Sequence, residues 1–592
     1  MKSRRHSRLA MLAVAGLMAP ALGASTARPD PSEWLAGSAG MTAVSSVPLA
    51  SPAGVQPGSP VEPTGPATGR EAMVSTAHPL ATAAGLEVLR AGGNAFDAAV
   101  AIAAALNVVE PQNSGLGGYG TILLYDASKK QVRFLNPSGR IPAGVDSDAF
   151  RAPTPGYEET RRGAKAVSTP GNLHAWEAMS KAYGRLAWER LFDPAIKLAE
   201  DGFEVDAGGA RAIASAFDGF PAHARVFYGR DGRALAAGER LVQKDLARSL
   251  RLVAARGASV FYDGELGAAI DTAMREAKGF LSAADLRADR AEWWEPIRIL
   301  YRGFDVYSAS PPANTFDYLV RLGVMSRFDV KTLGHNSVAY LHRFAEATKH
   351  GFWVRLRYAG DPDVNPPPLA RLLSEAYWTE QAAKIDPARA APFVPPGTPS
   401  GVPSGAQHTT HFVVADRWGN VVSATQTLGN TFGSRIMPPG TGIWLNNSLA
   451  YCTFEPKGNP MDAHAGRRKL SGDCPTIVMR DGRPWIAIGT PGGHTIGQTV
   501  PQMVMNLLDF GMDIRQAIAA PRVSFVEPDT LGVEENIPAE VRDALAAMGH
   551  RIRASRGLGN AHGLTIEYDA AGRPVRFTGA ADPRGSGLAA GL

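Results

Sequence analysis

Two helices stand out in the pattern of apolar residues near the start of the chain. Pro79 opens a helical pattern that the glycine pair 92–93 closes, and residues 95–109 form a second, almost uniformly apolar run that ends before Pro111. Because this run is apolar on all sides, it predicts a buried helix. Its length and Asp97 argue against a membrane span.

The same periodicity predicts a helix-rich region followed by a strand-rich one. Further helices are expected around residues 171–183, 188–201, 240–256, 263–278, 314–328, 337–358 and 368–386. Strands are expected at residues 120–126, 131–136, 304–309, 410–416, 420–427, 475–480, 484–489, 562–568 and 574–579. Most of the predicted strands therefore lie in the last third of the chain.

A β-hairpin is the clearest local prediction. Two alternating apolar segments, THFVVAD and NVVSATQT, flank a turn at residues 416–420. Such a turn pairs residues whose numbers sum to about 837, so Thr409 faces Thr427 or Leu428. Two threonine hydroxyls are therefore expected side by side at the open end of the hairpin.

The first residues predict export. The basic residues Lys2, Arg4 and Arg5 precede the apolar run 9–22, which ends in small residues. This run is shorter than the roughly 20 residues that a membrane span needs. We therefore expect residues 1–27 to be a signal peptide and the mature protein to be periplasmic or extracellular; a disordered basic terminus is the alternative.

Composition limits the remaining possibilities. Residues 28–70 and 391–407 are rich in Pro, Ser, Gly and Ala, which predicts a disordered leader and a flexible link. Lysine and arginine number 61 against 56 acidic residues among 592. Because this excess is small and no basic cluster occurs, we expect no nucleic-acid partner.

The end of the flexible link places a threonine where chain cleavage would activate it. If the bond between His408 and Thr409 were cut, Thr409 would gain an α-amine with a pKa of about 8. This amine is a suitable base for the neighbouring hydroxyl, which is otherwise a poor nucleophile. The hydroxyl of Thr427 would hold that of Thr409 in position. A structural role is the alternative, because threonines are common in strands.

Two glycine-rich segments have different interpretations. Gly489, Gly492 and Gly493 lie between a predicted strand and a predicted helix, where exposed backbone N–H groups can stabilise an oxyanion; an ordinary tight turn is the alternative. Residues 115–120 spell GxGxxG, but they follow a helix and open a strand, the reverse of a dinucleotide site. These glycines are expected to allow close backbone packing.

Other chemistry has no motif behind it. HExxH, GxSxG and GxxxxGK[ST] are absent, and the 13 histidines show no ligand spacing, so no metal and no cofactor are expected. Cys452 and Cys474 are the two cysteines. An exported protein permits a disulfide between them, but their positions in the sequence leave that pairing open.

Taken together, these segments resemble the γ-glutamyltransferase family. The most specific segment is TTHF (409–412), followed by VVAD, GN and TQT. The segments VEPQNSGLGGYG, STPGN, FGSRI, LNN, PTIV, GTPGG and GAADPR are also similar and occur in the same order. The resemblance extends from about Glu71 to the C terminus.

This resemblance implies a fold and a mechanism. The expected fold is a single α/β (α+β) unit, the four-layer αββα sandwich of N-terminal-nucleophile hydrolases. A helix-rich large subunit (71–408) and a strand-rich small subunit (409–592) would arise by self-cleavage between His408 and Thr409 and remain a heterodimer. Thr409 would be the nucleophile and Thr427 its supporting threonine, and Gly492 and Gly493 would form the oxyanion hole.

The residues that should bind the substrate differ from the family's pattern. Ser138 and Gly139 stand where the family presents an Arg-Glu pair for the α-carboxylate, with Arg140 as the nearest substitute. Tyr451 replaces an aspartate that binds the α-amino group. Gly429 replaces an asparagine.

Other parts of the substrate clamp are partly retained. Asn430 lies beside the replaced asparagine, and Ser471 remains from a Ser-Ser pair whose second member is Gly472. Together with Arg140, Ser471 and Asn447 are the residues that would rebuild the clamp.

These departures lead to three functional hypotheses. The first is a hydrolase or acyltransferase that cleaves γ-glutamyl or related acyl amides of small molecules or peptides, with water or an amine as acceptor. The second is a narrower form of the first: the loss of the aspartate favours an acyl group without an α-ammonium, such as a dicarboxylic half-amide. The enzyme would then resemble oxamate amidohydrolases or cephalosporin acylases rather than a glutathione hydrolase. The last hypothesis is an unprocessed, non-catalytic binding protein.

Overall fold

The computed structural model describes residues 65–313, 315–395, 407–526 and 528–592, with only the backbone of residues 407 and 408. The predicted signal peptide lies outside these residues, as do most of the leader and of the flexible link. The end of the leader departs from the prediction of disorder, because Ala67–Gly69 form a strand paired with Pro574–Ala581.

The described helices lie mostly before residue 408. They are α1 (Pro79–Arg90), α2 (Ala95–Val109), α3 (Tyr157–Thr160), α4 (Asn172–Tyr183), α5 (Asp193–Asp201), α6 (Ala207–Ala216), α7 (Ala222–Tyr228), α8 (Lys244–Arg256), α9 (Ser259–Tyr262), α10 (Glu265–Glu276), α11 (Ala283–Ala288), α12 (Phe316–Met325), α13 (Val330–Leu333), α14 (Val338–Tyr358), α15 (Leu369–Leu372), α16 (Glu375–Ala382), α17 (Ile496–Leu508), α18 (Ile514–Ala519) and α19 (Ala539–Ala547).

The described strands occur on both sides of residue 408. They are β1 (Ala67–Gly69), β2 (Ala72–Thr76), β3 (Tyr119–Asp126), β4 (Gln131–Asn136), β5 (Phe203–Glu204), β6 (Gly229–Arg230), β7 (Arg233–Ala234), β8 (Arg240–Leu241), β9 (Glu292–Trp294), β10 (Ile297–Tyr301), β11 (Phe304–Ser308), β12 (Gln407–Asp416), β13 (Val421–Asn430), β14 (Thr476–Arg480), β15 (Arg483–Gly489), β16 (Val523–Val526), β17 (Thr530–Glu534), β18 (Arg551–Ser555), β19 (His562–Tyr568), β20 (Pro574–Ala581) and β21 (Leu588–Gly591).

The first two helices match their predictions because each has a clear cap. Pro79 occupies the first turn of α1, where its missing N–H is not needed. Asn94 caps α2 and forms a reciprocal capping box with Asp97. Every residue of α2 is buried, which confirms the interpretation of its apolar run.

Two predicted helices are interrupted. Residues 188–201 form a short 3₁₀ turn (Trp188–Phe192) before α5, which has Pro194 in its first turn. Residues 368–386 divide into α15 and α16, because Ser374 caps a new helix start by accepting a hydrogen bond from the N–H of Tyr377.

Two seven-stranded antiparallel sheets form the centre of the fold. The first has the order β21-β2-β12-β13-β3-β4-β9 and holds the predicted hairpin at its middle. The second has the order β1-β20-β19-β15-β14-β11-β10. Both sheets combine strands from before and after residue 408, so two chains produced by a cut there would share each sheet.

Alternation of side chains creates the layers. On β12, Phe412 and Val414 pack in the apolar cluster that contains α1 and α2, whereas Val413 lies in the cluster shared by the two sheets. On β14, Ile477 faces that shared cluster and Val478 packs with α12, α14 and α17. The resulting order of helix, sheet, sheet and helix confirms the predicted αββα class.

The described residues from 65 onward belong to one compact unit. Within them, no helix combines the length and the apolar character that crossing a membrane requires.

Candidate active site

The β12–β13 hairpin brings the two predicted threonines together. Thr409 is paired with Thr427 across the hairpin, and a register shift between His408 and Thr409 precedes this pair. The hydroxyl of Thr409 donates a hydrogen bond to Oγ1 of Thr427 at 3.0 Å. Both side chains are buried, with 6% and 3% exposure.

The oxygen of Thr427 is held from several sides. Besides the hydroxyl of Thr409, the backbone N–H of Gly429 donates to it at 2.8 Å. Its side chain also forms a hydrogen bond with Tyr119. Because these contacts fix one rotamer, Thr427 presents a fixed acceptor to Thr409.

The glycines of residues 115–120 bring β3 close to this pair. A Cβ atom on Gly118 would lie 2.6 Å from the carbonyl oxygen of Thr427, and one on Gly120 would lie 2.3 Å from that of Thr425. No real side chain tolerates such distances. The segment therefore serves close backbone packing, as predicted.

Thr409 lies at the wall of a cavity that is open to solvent. The lining residues come from both sides of residue 408 and are Tyr119, Arg355, Thr409, Thr427, Gly429, Tyr451, Met461, Lys469, Leu470, Ser471, Gly472, Asp473, Gly493 and His494. The structure thus gathers most of the residues that the sequence singled out around one hydroxyl.

The glycine-rich segment lies between β15 and α17. Gly493 lines the cavity and begins a short 3₁₀ turn that leads into α17. Gly492 lies immediately before it, and its carbonyl accepts hydrogen bonds from the N–H (3.1 Å) and the hydroxyl (2.9 Å) of Thr495. This strand-to-helix junction is the arrangement that the sequence predicted.

A second wall of the cavity joins three of the predicted binding residues. The hydroxyl of Tyr451 donates to Oδ1 of Asn430. Oδ1 of Asn447 accepts a hydrogen bond from the N–H of Asn430 at 2.8 Å. Asn447 is fully buried, so it supports this wall from behind, whereas Tyr451 lines the cavity.

Ser471 and Gly472 also line the cavity. The hydroxyl of Ser471 donates to Oδ2 of Asp473 at 2.8 Å and lies 3.1 Å from the hydroxyl of Thr121. Gly472 leaves this part of the cavity open.

Arg140 lies elsewhere. Its guanidinium donates to Oε1 of Glu292 at 3.0 Å and to the carbonyl of Gly466 at 3.2 Å. It lines a separate depression with Asp289 and Arg290. The structure therefore does not bring Arg140 to Thr409, because a carboxylate already holds its side chain.

Three charged residues in the cavity escaped the sequence analysis. Lys469 and Asp473 flank Ser471, and Arg355 comes from α14. The positions of these two charges, two residues before and two residues after Ser471, were a local signal. Arg355 had no such signal, because its approach depends on how α14 packs.

Burial controls the charges in this cavity. Desolvation raises the pKa of Asp473 to about 6, against the favourable effects of Ser471 and Lys469. Desolvation lowers the pKa of Lys469 and raises that of Tyr451. Within the described part of the chain, Lys469 forms no ion pair. Burial therefore favours the neutral form of both Lys469 and Asp473 in this cavity.

Cys452 and Cys474 are both buried free thiols and are not bonded to each other. Burial raises the pKa of the Cys452 thiol to about 11, so it remains protonated at neutral pH.

Known proteins share this architecture. The family model of gamma-glutamyltranspeptidase matches residues 81–592. The glutathione hydrolase proenzyme of Bacillus subtilis (strain 168) is 33% identical over 547 residues, which are 88% of this chain and 92% of the relative. The Acylase ACY 1 proenzyme of Pseudomonas sp. (strain V22) is 36% identical over 538 residues, 88% of this chain and 94% of the relative. Both names describe proenzymes, which implies processing.

A solved structure gives the same result. The cephalosporin acylase from Bacillus halodurans superposes with a TM-score of 0.83 at 30% identity, covering 91% of this chain and 99% of the acylase. The match of the family model and the length of these alignments confirm the resemblance seen in the sequence. The chain is an enzyme and belongs to the γ-glutamyltranspeptidase family of N-terminal-nucleophile hydrolases and acyltransferases.

Proposed function

We propose that this enzyme is exported, cleaves itself between His408 and Thr409, and uses Thr409 to hydrolyse or transfer acyl groups held in amide bonds. The two products, a large subunit ending at residue 408 and a small subunit of residues 409–592, would stay together as a heterodimer. The shared sheets support this assembly, because each contains strands of both products.

The reaction follows from the hydroxyl pair. The new α-amine of Thr409 takes the proton of its hydroxyl, and Oγ1 attacks the substrate carbonyl. The N–H groups of Gly492 and Gly493 stabilise the negative oxygen. The C–N bond breaks, the amine leaves with the proton, and an ester to Thr409 remains. Water or another amine then attacks this ester and restores the hydroxyl.

The position of Lys469 indicates what replaces the missing arginine. The backbone N–H of Lys469 donates to the carbonyl of Gly139 at 3.2 Å, so Lys469 lies beside the segment where the family presents its Arg-Glu pair. Ser138 is buried and donates to the carbonyl of Gly120, away from the cavity. A side chain at position 139 would place its Cβ 2.0 Å from the carbonyl of Thr169. We therefore infer that Lys469, in the neighbouring segment, supplies the positive charge that the family presents from the segment around Gly139.

The cavity offers less to an α-ammonium group. Tyr451 presents a neutral phenol where the family carries an aspartate, and its hydroxyl is already bonded to Asn430. Asp473 is the carboxyl within the described lining, and it already accepts a hydrogen bond from Ser471. A zwitterionic head needs both charges matched when it leaves water.

These features favour an acyl group that ends in a carboxylate and lacks the ammonium, such as the glutaryl group. The single observation that carries this conclusion is Lys469, a buried lysine that forms no ion pair with any residue the structure describes and lines the same cavity as Thr409. The γ-glutamyl group is the second candidate, because Asp473 provides one carboxyl that could meet an ammonium.

Replacing the nucleophile tests the cleavage. Thr409→Ala should give one uncut band on a denaturing gel and no turnover, since the same oxygen performs both reactions. Wild-type protein should give two bands, and the smaller should begin at Thr409. An uncut wild type with full activity would contradict the mechanism.

Replacing the buried lysine tests the specificity. Wild-type enzyme should hydrolyse glutaryl anilide with a higher kcat/KM than γ-glutamyl anilide. Lys469→Met should lower the glutaryl value about 10- to 100-fold, because a charge-assisted contact is worth about 1.5–3 kcal/mol. Hydrolysis of butyryl anilide, which has no carboxylate, should stay unchanged and reports correct folding.

Lys457→Met is the matched control, because Lys457 lies in the same segment but is exposed. It should leave all three rates unchanged. Equal rates on the glutaryl and γ-glutamyl substrates in the wild type would refute the proposed specificity without affecting the proposed nucleophile.

A further inference from the structure

A cluster of three buried side chains lies outside the active-site cavity. His342 and Glu346 lie one turn apart on α14, and His550 immediately precedes β18. One ligand atom of each residue lies within 4.8 Å of the other two. Their exposures are 0%, 8% and 5%. Imidazole nitrogens and a carboxylate are the ligands that first-row divalent metals prefer.

One hydrogen bond joins the two imidazole rings of His342 and His550. Nε2 of His342 lies 2.7 Å from the carbonyl oxygen of Asp386. Because that oxygen only accepts, Nε2 carries the proton and Nδ1 of the neutral ring presents its lone pair to Nε2 of His550 at 2.8 Å. A histidine that donates its second nitrogen to a backbone carbonyl is oriented as metal-binding histidines are.

Glu346 supplies the negative charge, and its carboxylate already accepts two hydrogen bonds. Its Oε1 accepts a hydrogen bond from Nζ of Lys349 at 2.7 Å, and its Oε2 accepts one from the N–H of Ala391 at 3.2 Å. A bound cation would compete with Lys349 for this carboxylate. The competition predicts a site of moderate affinity that becomes stronger when the lysine charge is removed.

We propose that His342, Glu346 and His550 bind one divalent transition-metal ion such as Zn²⁺. The ion takes the place between Nδ1 of His342 and Nε2 of His550, and the proton on Nε2 of His550 moves to Nδ1 of the same ring. Zinc–nitrogen bonds of about 2.0–2.1 Å require the two nitrogens to separate to about 3.3 Å, an opening of roughly 0.5 Å.

The site joins the two sides of the proposed cut. His342 and Glu346 precede residue 408, and His550 follows it. The N–H of Ala390 donates to the carbonyl of Met548 at 2.8 Å, so the start of the flexible link is held beside the same cluster. A bound ion would therefore clamp the large subunit to the small one. This consequence rests on the proposed cleavage, whereas metal binding itself does not.

Zinc titration of the full chain tests the proposal. Wild-type protein is stripped of metal with a chelator, dialysed, and titrated with Zn²⁺ in a calorimeter. Thermal unfolding is recorded with and without the ion. We expect one Zn²⁺ per chain and a higher Tm in its presence. The uncut Thr409→Ala protein should bind equally, which separates metal binding from the proposed function.

Variants of the cluster provide the comparison. His550→Gln and Glu346→Gln should weaken Zn²⁺ binding at least tenfold. Lys349→Met should tighten it about tenfold, and Lys349→Arg, which keeps the charge, should not. His223→Gln, outside the cluster, should bind as the wild type does. Equal Zn²⁺ affinity of wild type and His550→Gln, or no change of Tm with Zn²⁺, would overturn the proposal.

Discussion

Removing one hydroxyl from the hairpin tests how Thr409 is held. In Thr427→Val the side chain keeps its shape but loses the oxygen. In the wild type this oxygen accepts hydrogen bonds from the hydroxyl of Thr409 at 3.0 Å and from the N–H of Gly429 at 2.8 Å. Because the position is only 3% exposed, water cannot easily replace either contact.

The expected effects divide between stability and rate. The N–H of Gly429 loses its acceptor, which should cost about 1–3 kcal/mol of unfolding free energy. The hydroxyl of Thr409 loses its orientation, and about 1.4–2.8 kcal/mol of lost transition-state stabilisation corresponds to a 10- to 100-fold lower kcat. Self-cleavage should slow by a similar factor, since the same oxygen attacks.

The assay combines anilide hydrolysis with a time course of cleavage on denaturing gels. Thr425→Val is the matched control, because it removes the same atoms two residues earlier on the same strand, where the hydroxyl meets Nδ1 of His411 at 2.8 Å. It should lower stability and leave kcat unchanged. Thr427→Ser should restore activity. A folded Thr427→Val protein with wild-type kcat would refute the reasoning.

Two further predictions concern charge. Burial raises the pKa of Glu110 to about 7. The folded state therefore holds this proton more tightly than the unfolded chain, and the resulting stability is present at low pH and lost as the pH rises through about 7. Glu110→Gln removes this titrating carboxyl, so the Tm of the variant minus that of the wild type should increase between about pH 5 and about pH 8. A difference in Tm that does not change with pH would contradict this. Tyr451→Asp should raise the ratio of the γ-glutamyl kcat/KM to the glutaryl kcat/KM at least tenfold, because the new carboxylate pairs with the ammonium. Tyr451→Phe should leave this ratio unchanged. An unchanged ratio in Tyr451→Asp would contradict the role of position 451.

Local sequence patterns predicted most closely the elements whose ends are marked by a helix cap or a tight turn. Helix α2 and the β12–β13 hairpin were predicted closely, because a cap and a tight turn are properties of neighbouring residues. Strand β2 was not predicted, although it lies next to β12 in the first sheet. All five of its residues are buried, so it lacks the alternation that identifies a strand with one exposed face.

The details of the hairpin needed the folded chain. The turn predicted that Thr409 would face Thr427 or Leu428, and the register shift after His408 selects Thr427. Such a bulge depends on the neighbouring strand and on the packing of the cavity, which no short segment encodes.

The sequence by itself determined the class of fold, the family and the hairpin that brings Thr409 close to Thr427, because these depend on short-range patterns and on motifs in a fixed order. Only the tertiary structure decided which charges line the cavity. It directed Arg140 to Glu292 and brought Lys469, Asp473 and Arg355 to the cavity. Long-range packing controls where a side chain ends, and an electrostatic environment is the sum of groups that lie far apart in the sequence.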